Sequence, residues 1–283
     1  MPDNKYGKKA FKYSGLLRSF FAWPLYIGAV LIIICAIMFC VNVTAATVVS
    51  IFMVIYLKKK KLFSLHITWF DKTDVLSLIQ KAIPSVIQQS IPAISTTFLT
   101  ALVSTYSVTA IAAYGITGKL ETILFYPAMA LNMVLTTIVG QCIGGQRTDR
   151  AKDYLKCALK YGCLLLVILS IVILAFSKQL SGFFVSSSDV ADIVGVYFFI
   201  VGIGYVLNTV TNSFLGVLNG FGKPAKSMVL MIFYYIVVRM PLAYLLSFFG
   251  FGLNGIWFAI LISHICAAIA SSAVLTLQFK TPK

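Results

Sequence analysis

The sequence predicts an all-α membrane protein, a polytopic helical bundle of about eight spans in which a six-helix lobe follows an N-terminal helical hairpin. Three observations carry this. The chain of 283 residues is 60% hydrophobic and only 11% charged, where a soluble domain has about 45–50% apolar and about 25% charged residues. That excludes an ordinary soluble enzyme or a nucleic-acid-binding module. The apolar residues are also gathered into long runs, and about 20 residues rising about 1.5 Å each cross the hydrocarbon of a bilayer. Finally, of 23 Lys and Arg, 20 fall on one side of the inferred membrane, one (Lys178) falls on the other, and Lys119 and Arg239 lie inside spans. This bias places both termini in the cytoplasm by the positive-inside rule, so the net charge of +15 marks a membrane orientation and not a nucleic-acid partner.

In chain order, residues 1–19 are a basic cytoplasmic N-terminus and 20–57 a transmembrane hairpin with spans at 20–39 and 42–57, broken at Cys40-Val41-Asn42-Val43. The basic lead before the first apolar run has the outline of a signal peptide, but it is long and no small-residue cleavage site follows it. Residues 58–78 form a basic cytoplasmic linker, whose Lys58-Lys59-Lys60-Lys61 stops transfer and anchors to the lipid surface. The lobe over 79–277 has spans at 79–104, 108–141, 157–177, 190–218, 227–247 and 253–277, and residues 278–283 are a cytoplasmic tail. Between spans, Asn219-Gly220-Phe221-Gly222-Lys223-Pro224 and Gly250-Phe251-Gly252 read as tight turns, so neighbouring helices run antiparallel. Thr148 is placed to cap an amphipathic inner helix with Asp149 in its first turn. Trp23, Trp69 and Trp257 fall near the expected interfaces, and the six cysteines read as free thiols in apolar runs. Gly140 and Gly144 make a G-x-x-x-G of the kind that lets helices approach closely.

Function is sought in polar residues that lipid should exclude. In the 79–104 span, Ser85, Gln89, Pro92, Thr96 and Thr100 share one arc at about 100° per residue, with Gln88 beside it and a second proline at Pro84. The arc either hydrogen-bonds a neighbouring helix or lines a cavity. The 108–141 span carries Lys119 and Glu121, two residues apart and so on different faces. On the face of Glu121 lie Tyr114, Gly118, Phe125 and Asn132. Arg239 is a third charge inside a span, His264 is the imidazole of the last span, and Gly204, Asn208, Thr211 and Asn212 share a side of the 190–218 span. A charge at the centre of a spanning helix costs about 2.5–3.5 kcal/mol on insertion scales. Glu121 is therefore either ion-paired permanently with Arg239 or Lys119, or its proton occupancy changes with conformation. No Gly-rich phosphate loop, metal-ligand cluster or nucleophile–His–acid arrangement occurs, so no enzyme, cofactor or metal centre is expected.

The run Ala112-Ala113-Tyr114-Gly115, Lys119-Leu120-Glu121, Pro127, Val139-Gly140-Gln141-Cys142-Ile143-Gly144-Gly145 and Asp149-Arg150-Ala151 resembles the hallmark of the multidrug and toxic compound extrusion (MATE) transporters. Ile83-Pro84-Ser85, Gln88-Gln89-Ser90, Gly220-Phe221-Gly222-Lys223, Arg239-Met240-Pro241-Leu242 and Gly252-Leu253-Asn254-Gly255-Ile256-Trp257 match in the same order, and residues 44–50 are similar to the family's sixth span. The resemblance covers about 42–277. It implies the C-terminal lobe of a two-lobed secondary antiporter that exports organic cations or drugs against an inward proton or sodium gradient. It also implies a bilayer-embedded, multi-pass protein of the cell membrane and a small-molecule, cationic substrate. The first lobe of the family has no counterpart beyond the hairpin, so the resemblance implies a fragment of a longer protein, a separately encoded lobe as partner, or a second copy. The acid that some relatives carry in the first helix of this lobe is replaced here by Gln88, Gln89 and Pro92. The substrate and ion pathway expected is Ser85, Gln88, Gln89, Thr96, Thr100, Tyr114, Glu121, Asn132, Asn208, Asn212, Arg239 and His264. The alternatives are a flippase of anionic lipid-linked sugars from the same superfamily, given Lys119 and Arg239 against one Glu, and an inactive membrane remnant.

Overall fold

The computed structural model describes residues 72–185 and 187–280, together with 43–44, 47–52, 54–56 and 59. The chain divides into two units, Met1–Trp69 and Phe70–Lys283. Of the first, an apolar helical stretch, Thr47–Tyr56, is described. The expected span 20–39 lies outside the described residues, and the expected span 42–57 is described in part.

The second unit is a bundle of long apolar helices. They are α1 (Lys72–Ser104), α2 (Val108–Gly144), α3 (Thr148–Gly182), α4 (Ser188–Gly220), α5 (Pro224–Met231), a π-helical stretch Ile232–Arg239, α6 (Met240–Leu246), a second π-helical stretch Ser247–Phe251, and α7 (Gly252–Lys280). α5 through the second π-helical stretch make one crossing and α7 the return. At this reversal Phe249 and Gly250 leave helical geometry, and Gly250 takes φ +92°. Among the described residues, the region expected to hold six spans is an all-α bundle of five to six long apolar helices. Helix α1 begins at Lys72, inside the stretch expected as linker.

Local chemistry sets the helix ends. The Ser107 side chain accepts a hydrogen bond from the Ala110 N–H at 3.0 Å and caps α2, filling one of the donors that a helix start leaves open. Helix α4 ends in the turn expected from sequence: the Gly222 N–H bonds the Asn219 carbonyl and the Lys223 N–H the Leu218 carbonyl. Gly222 has φ +71°, a left-handed conformation that side chains resist, and Pro224 opens α5, where a missing N–H costs nothing. One expectation is corrected. Thr148 is the first residue of α3, not its cap; Arg147 holds the cap position without a side-chain bond. The basic first turns also run unbroken into the apolar span, leaving no separate inner helix.

Helix α4 lies at the centre of the bundle, packed against α2, α3 and α7. Around its first half the core is built from Leu120, Leu124, Tyr197, Tyr205, Trp257 and Ile260. Around its second half, Leu135, Val139, Leu155, Leu215 and Leu218 make another. Close approach of α2 and α4 depends on Gly216 and Gly220. A methyl on Gly216 would lie 2.5 Å from the Asn132 carbonyl oxygen, and one on Gly220 2.8 Å from Val139 Cβ. The Thr136 hydroxyl donates across the same crossing to the Gly216 carbonyl at 3.2 Å. The G-x-x-x-G that the bundle uses for this crossing is therefore Gly216/Gly220. Of the pair singled out from sequence, a methyl on Gly140 would lie an ordinary 3.6 Å from the Gly220 carbonyl oxygen, and one on Gly144 would meet nothing within 4 Å.

The π-helical stretch Ile232–Arg239 was not foreseen, yet a cause stands two residues beyond it. Pro241 has no N–H to offer the carbonyl four residues back, and its ring crowds that carbonyl. The turns before it widen to i→i+5 bonding, a rare geometry that recurs at functional sites. Large apolar side chains such as Leu164, Ile168, Ile171 and Phe176 of α3 remain exposed, as expected for a face that lipid covers.

Candidate functional site

Two polar clusters occupy the bundle, at different depths. The first surrounds Glu121. On α2 this residue is partly buried, and its Oε1 accepts hydrogen bonds from the hydroxyls of Tyr197 and Tyr205, both on α4. The two tyrosines sit eight residues apart, about two turns, and reach the same oxygen, with the Tyr205 hydroxyl also 3.4 Å from that of Tyr197. Aromatic rings wall the carboxylate in. Tyr197 meets the Trp257 ring edge-on at 4.8 Å, Tyr114 stacks on Trp257 at 5.6 Å, and Phe125 meets Tyr205 edge-on at 5.8 Å.

This aromatic box leads on to a buried cation. The Tyr205 ring lies 6.4 Å from that of His264, and the Arg239 Nη2 is 3.3 Å from His264 Nε2. A guanidinium has donors only, so His264 Nε2 accepts and the ring proton of the neutral form sits on Nδ1. The Arg239 Nε–H donates to the Ser263 hydroxyl at 2.8 Å, and the guanidinium lies 4.4 Å above the Tyr235 ring. Arg239 is 6% exposed, so its charge rests on a hydroxyl, an imidazole and a π face. Among the described residues no ion pair joins Glu121 to Arg239 or Lys119; the two pairs present are Lys156–Asp153 and Lys178–Asp192. The permanent ion pair weighed from sequence is not the arrangement found. Lys119 is exposed on α2.

The second cluster is a cavity of about 140 Å³ between α1, α2, α4 and α5, lined by Ser85, Gln88, Gln89, Asn132, Asn212 and Asn219 with Met129, Met133, Leu215 and Met231. It is nearer the end of the bundle that carries Lys223 and Lys226; Asn132 lies eleven residues beyond Glu121 along α2, about 16 Å. Gln88 Nε2 donates to the Pro224 carbonyl at 2.9 Å, and Asn219 Nδ2 to Gln88 Oε1 at 3.4 Å. Asn212 Nδ2 donates to the Asn208 carbonyl and to Asn208 Oδ1.

The twelve residues expected along a pathway thus fall into three groups. Tyr114, Glu121, Arg239 and His264 join the aromatic cluster. Ser85, Gln88, Gln89, Asn132 and Asn212 line the cavity, with Asn208 bonded to Asn212 behind it. Thr96 and Thr100 are exposed on α1, their hydroxyls donating to the carbonyls of Pro92 and Thr96. Sequence reasoning missed Tyr197, Tyr205, Ser263 and Tyr235, which read as ordinary span residues, and Asn219, which was read only as part of a turn. Tyr197 and Tyr205 do fall on one helical face with Asn208 and Asn212, a pattern the sequence contains. Among the described residues, no group of three or more His, Cys, Asp or Glu is placed to hold a metal ion.

A family model described as MatE matches residues 84–245. The chain is 29% identical over 153 residues to a probable multidrug resistance protein NorM of Pasteurella multocida, and 26% identical over 152 residues to an FAD transporter of Shewanella oneidensis. These alignments cover 52% and 54% of this chain but 33% of either relative. A crystal structure of the Vibrio cholerae MATE transporter VcmN in the bent form superposes with a TM-score of 0.73 at 18% identity, covering 80% of this chain and 52% of that one. The fold is therefore that of half such a protein.

Proposed function

The chain belongs to the MatE family, and from that premise we propose that it forms one lobe of a secondary active antiporter that exports organic cations or drugs in exchange for protons or sodium. A second lobe, on the same polypeptide, a separate chain or a second copy, completes the pathway. In this reading both termini face the cytoplasm, and the end carrying Arg147, Arg150, Lys223 and Lys226 is the inner one. The regions 1–19, 20–57, 58–78, 79–277 and 278–283 keep the roles expected from sequence.

The observation that carries the proposal is Glu121. It is a carboxylate at mid-span, bonded by two phenol hydroxyls, not by a cation, and connected through Tyr205 and His264 to Arg239. A carboxylate with a permanent cationic partner stays charged, whereas one held by hydroxyls exchanges its ion when those hydroxyls move. Rearrangement of α4 against α2 therefore couples ion occupancy to conformation. The relatives named as a multidrug resistance protein and an FAD transporter support an organic solute as cargo. The test is Glu121→Gln in the complete transporter reconstituted in liposomes, driven in turn by a proton and a sodium gradient. Loss of gradient-driven efflux with normal insertion is expected, and the gradient that drives the parent names the ion. Unchanged efflux sinks the coupling role. A second reading, a flippase of anionic lipid-linked sugars, rests on Lys119 and Arg239, neither of which has an acidic partner among the described residues. A lipid-flipping assay beside the efflux assay separates the two.

A further inference from the structure

We propose that the carboxamide-lined cavity between α1, α2, α4 and α5 is a binding subsite for an uncharged, hydrogen-bonding ring, and that it discriminates against a cationic group. The inference rests on the transporter reading above and specifies which part of a solute this lobe holds. None of the ten residues that line the cavity is charged. The nearest charges along the chain are cations, Lys81 one turn before Ser85 and Lys223 four residues after Asn219. A cation entering here would lose its hydration, find no carboxylate, and approach like charge.

The free hydrogen-bonding capacity is of both kinds. Gln88 Nε2 donates to the Pro224 carbonyl, Asn219 Nδ2 to Gln88 and Asn212 Nδ2 to Asn208. The acceptor Asn219 Oδ1 and, behind the lining, the donor Asn208 Nδ2 are buried with no partner, a state that ordinarily costs about 1–3 kcal/mol per group. An occupant that both donates and accepts, as a carboxamide does, matches this lining. The three thioethers of Met129, Met133 and Met231 form an adaptable apolar wall suited to the faces of a flat ring. A volume of about 140 Å³ is about that of five waters, each claiming about 30 Å³, which admits one ring and a substituent.

The experiment measures binding of nicotinamide, 6-methylnicotinamide and 1-methylnicotinamide to the detergent-solubilised chain by equilibrium dialysis. The first two are neutral amides, the second controlling for the size of the methyl, and the third carries a fixed positive charge on the same ring. The two neutral probes should bind about tenfold or more tightly than the cation. Asn132→Leu and Gln89→Leu should each weaken nicotinamide at least about threefold; Gln89 is exposed, so that variant tests the site even where Asn132→Leu misfolds. Gln89→Glu should shift the preference toward 1-methylnicotinamide. Equal or tighter binding of the cation, nicotinamide binding that neither leucine variant alters, or no saturable binding up to about 10 mM would each overturn the proposal. Binding is read without a gradient, so it is measurable whether or not Glu121 couples transport, and the two readings fail separately.

Discussion

Substituting Gly216 with Ala puts the packing of α2 on α4 to a quantitative test. The added methyl would lie 2.5 Å from the Asn132 carbonyl oxygen, 2.9 Å from its Cα and 3.1 Å from its carbonyl carbon. All three are backbone atoms of a helix, so no side chain can swing aside. Restoring contacts of about 3.5 Å requires the helices to part by about 1 Å. Such overpacking typically costs about 1–3 kcal/mol, and alanine returns up to about 1 kcal/mol through its better helix propensity. The net loss is about 1–2 kcal/mol, and at about 2–4 °C per kcal/mol for a protein of this size the melting temperature falls by about 2–8 °C. The assay is thermal unfolding in detergent followed by tryptophan fluorescence, at one scan rate because unfolding of such proteins is commonly irreversible. Gly115→Ala is the control: nothing lies within 4 Å of a methyl there, so only the propensity gain remains. If Gly216→Ala melts at or above Gly115→Ala, the close crossing is not what orders these helices.

Two further substitutions probe charge. Arg239→Lys keeps the cation but loses the planar fork over Ser263, His264 and Tyr235, so it should cost about 1.5–3 kcal/mol; a melting temperature equal to the parent's would show the fork to be idle. Lys178→Ala breaks the 2.6 Å pair with Asp192, but both side chains are 64% exposed. It should therefore change stability by less than about 1 kcal/mol and lose even that in high salt, as melts at two ionic strengths would register.

The long apolar helices and the turns at Gly222 and Gly250 were legible because hydropathy runs and punctuation residues are local signals. The candidate site was legible only in its polar half. Glu121, Arg239 and His264 stand out in an apolar span, but their partners Tyr197, Tyr205 and Tyr235 look like any lipid-facing or core aromatic. Whether such a ring turns its hydroxyl toward an acid depends on which helices meet, and that is set by long-range packing. Gly216 and Gly220 carried a readable spacing; Gly140 and Gly144 carried the same one, and only the crossing of α2 with α4 decides between them. Continuity of α3 was hidden because its basic first turns, Arg150, Lys152 and Lys156, break the hydropathy signal without breaking the backbone.

The widened turns before Pro241 have a consequence of another kind. A π turn takes up one residue of slack, and removing it would rotate one side of the span against the other by about 100°. The proline ring, which makes none of the hydrogen bonds of Arg239, thereby sets the azimuth at which the guanidinium leaves the helix. Pro241→Ala frees the span to tighten, and it should disturb the seat of Arg239 over Tyr235 without removing a single atom from it. Stability effects of Pro241→Ala and Arg239→Lys should then fall short of adding by about 0.5 kcal/mol or more. Strict additivity would mean that the ring and the cation are merely neighbours in sequence.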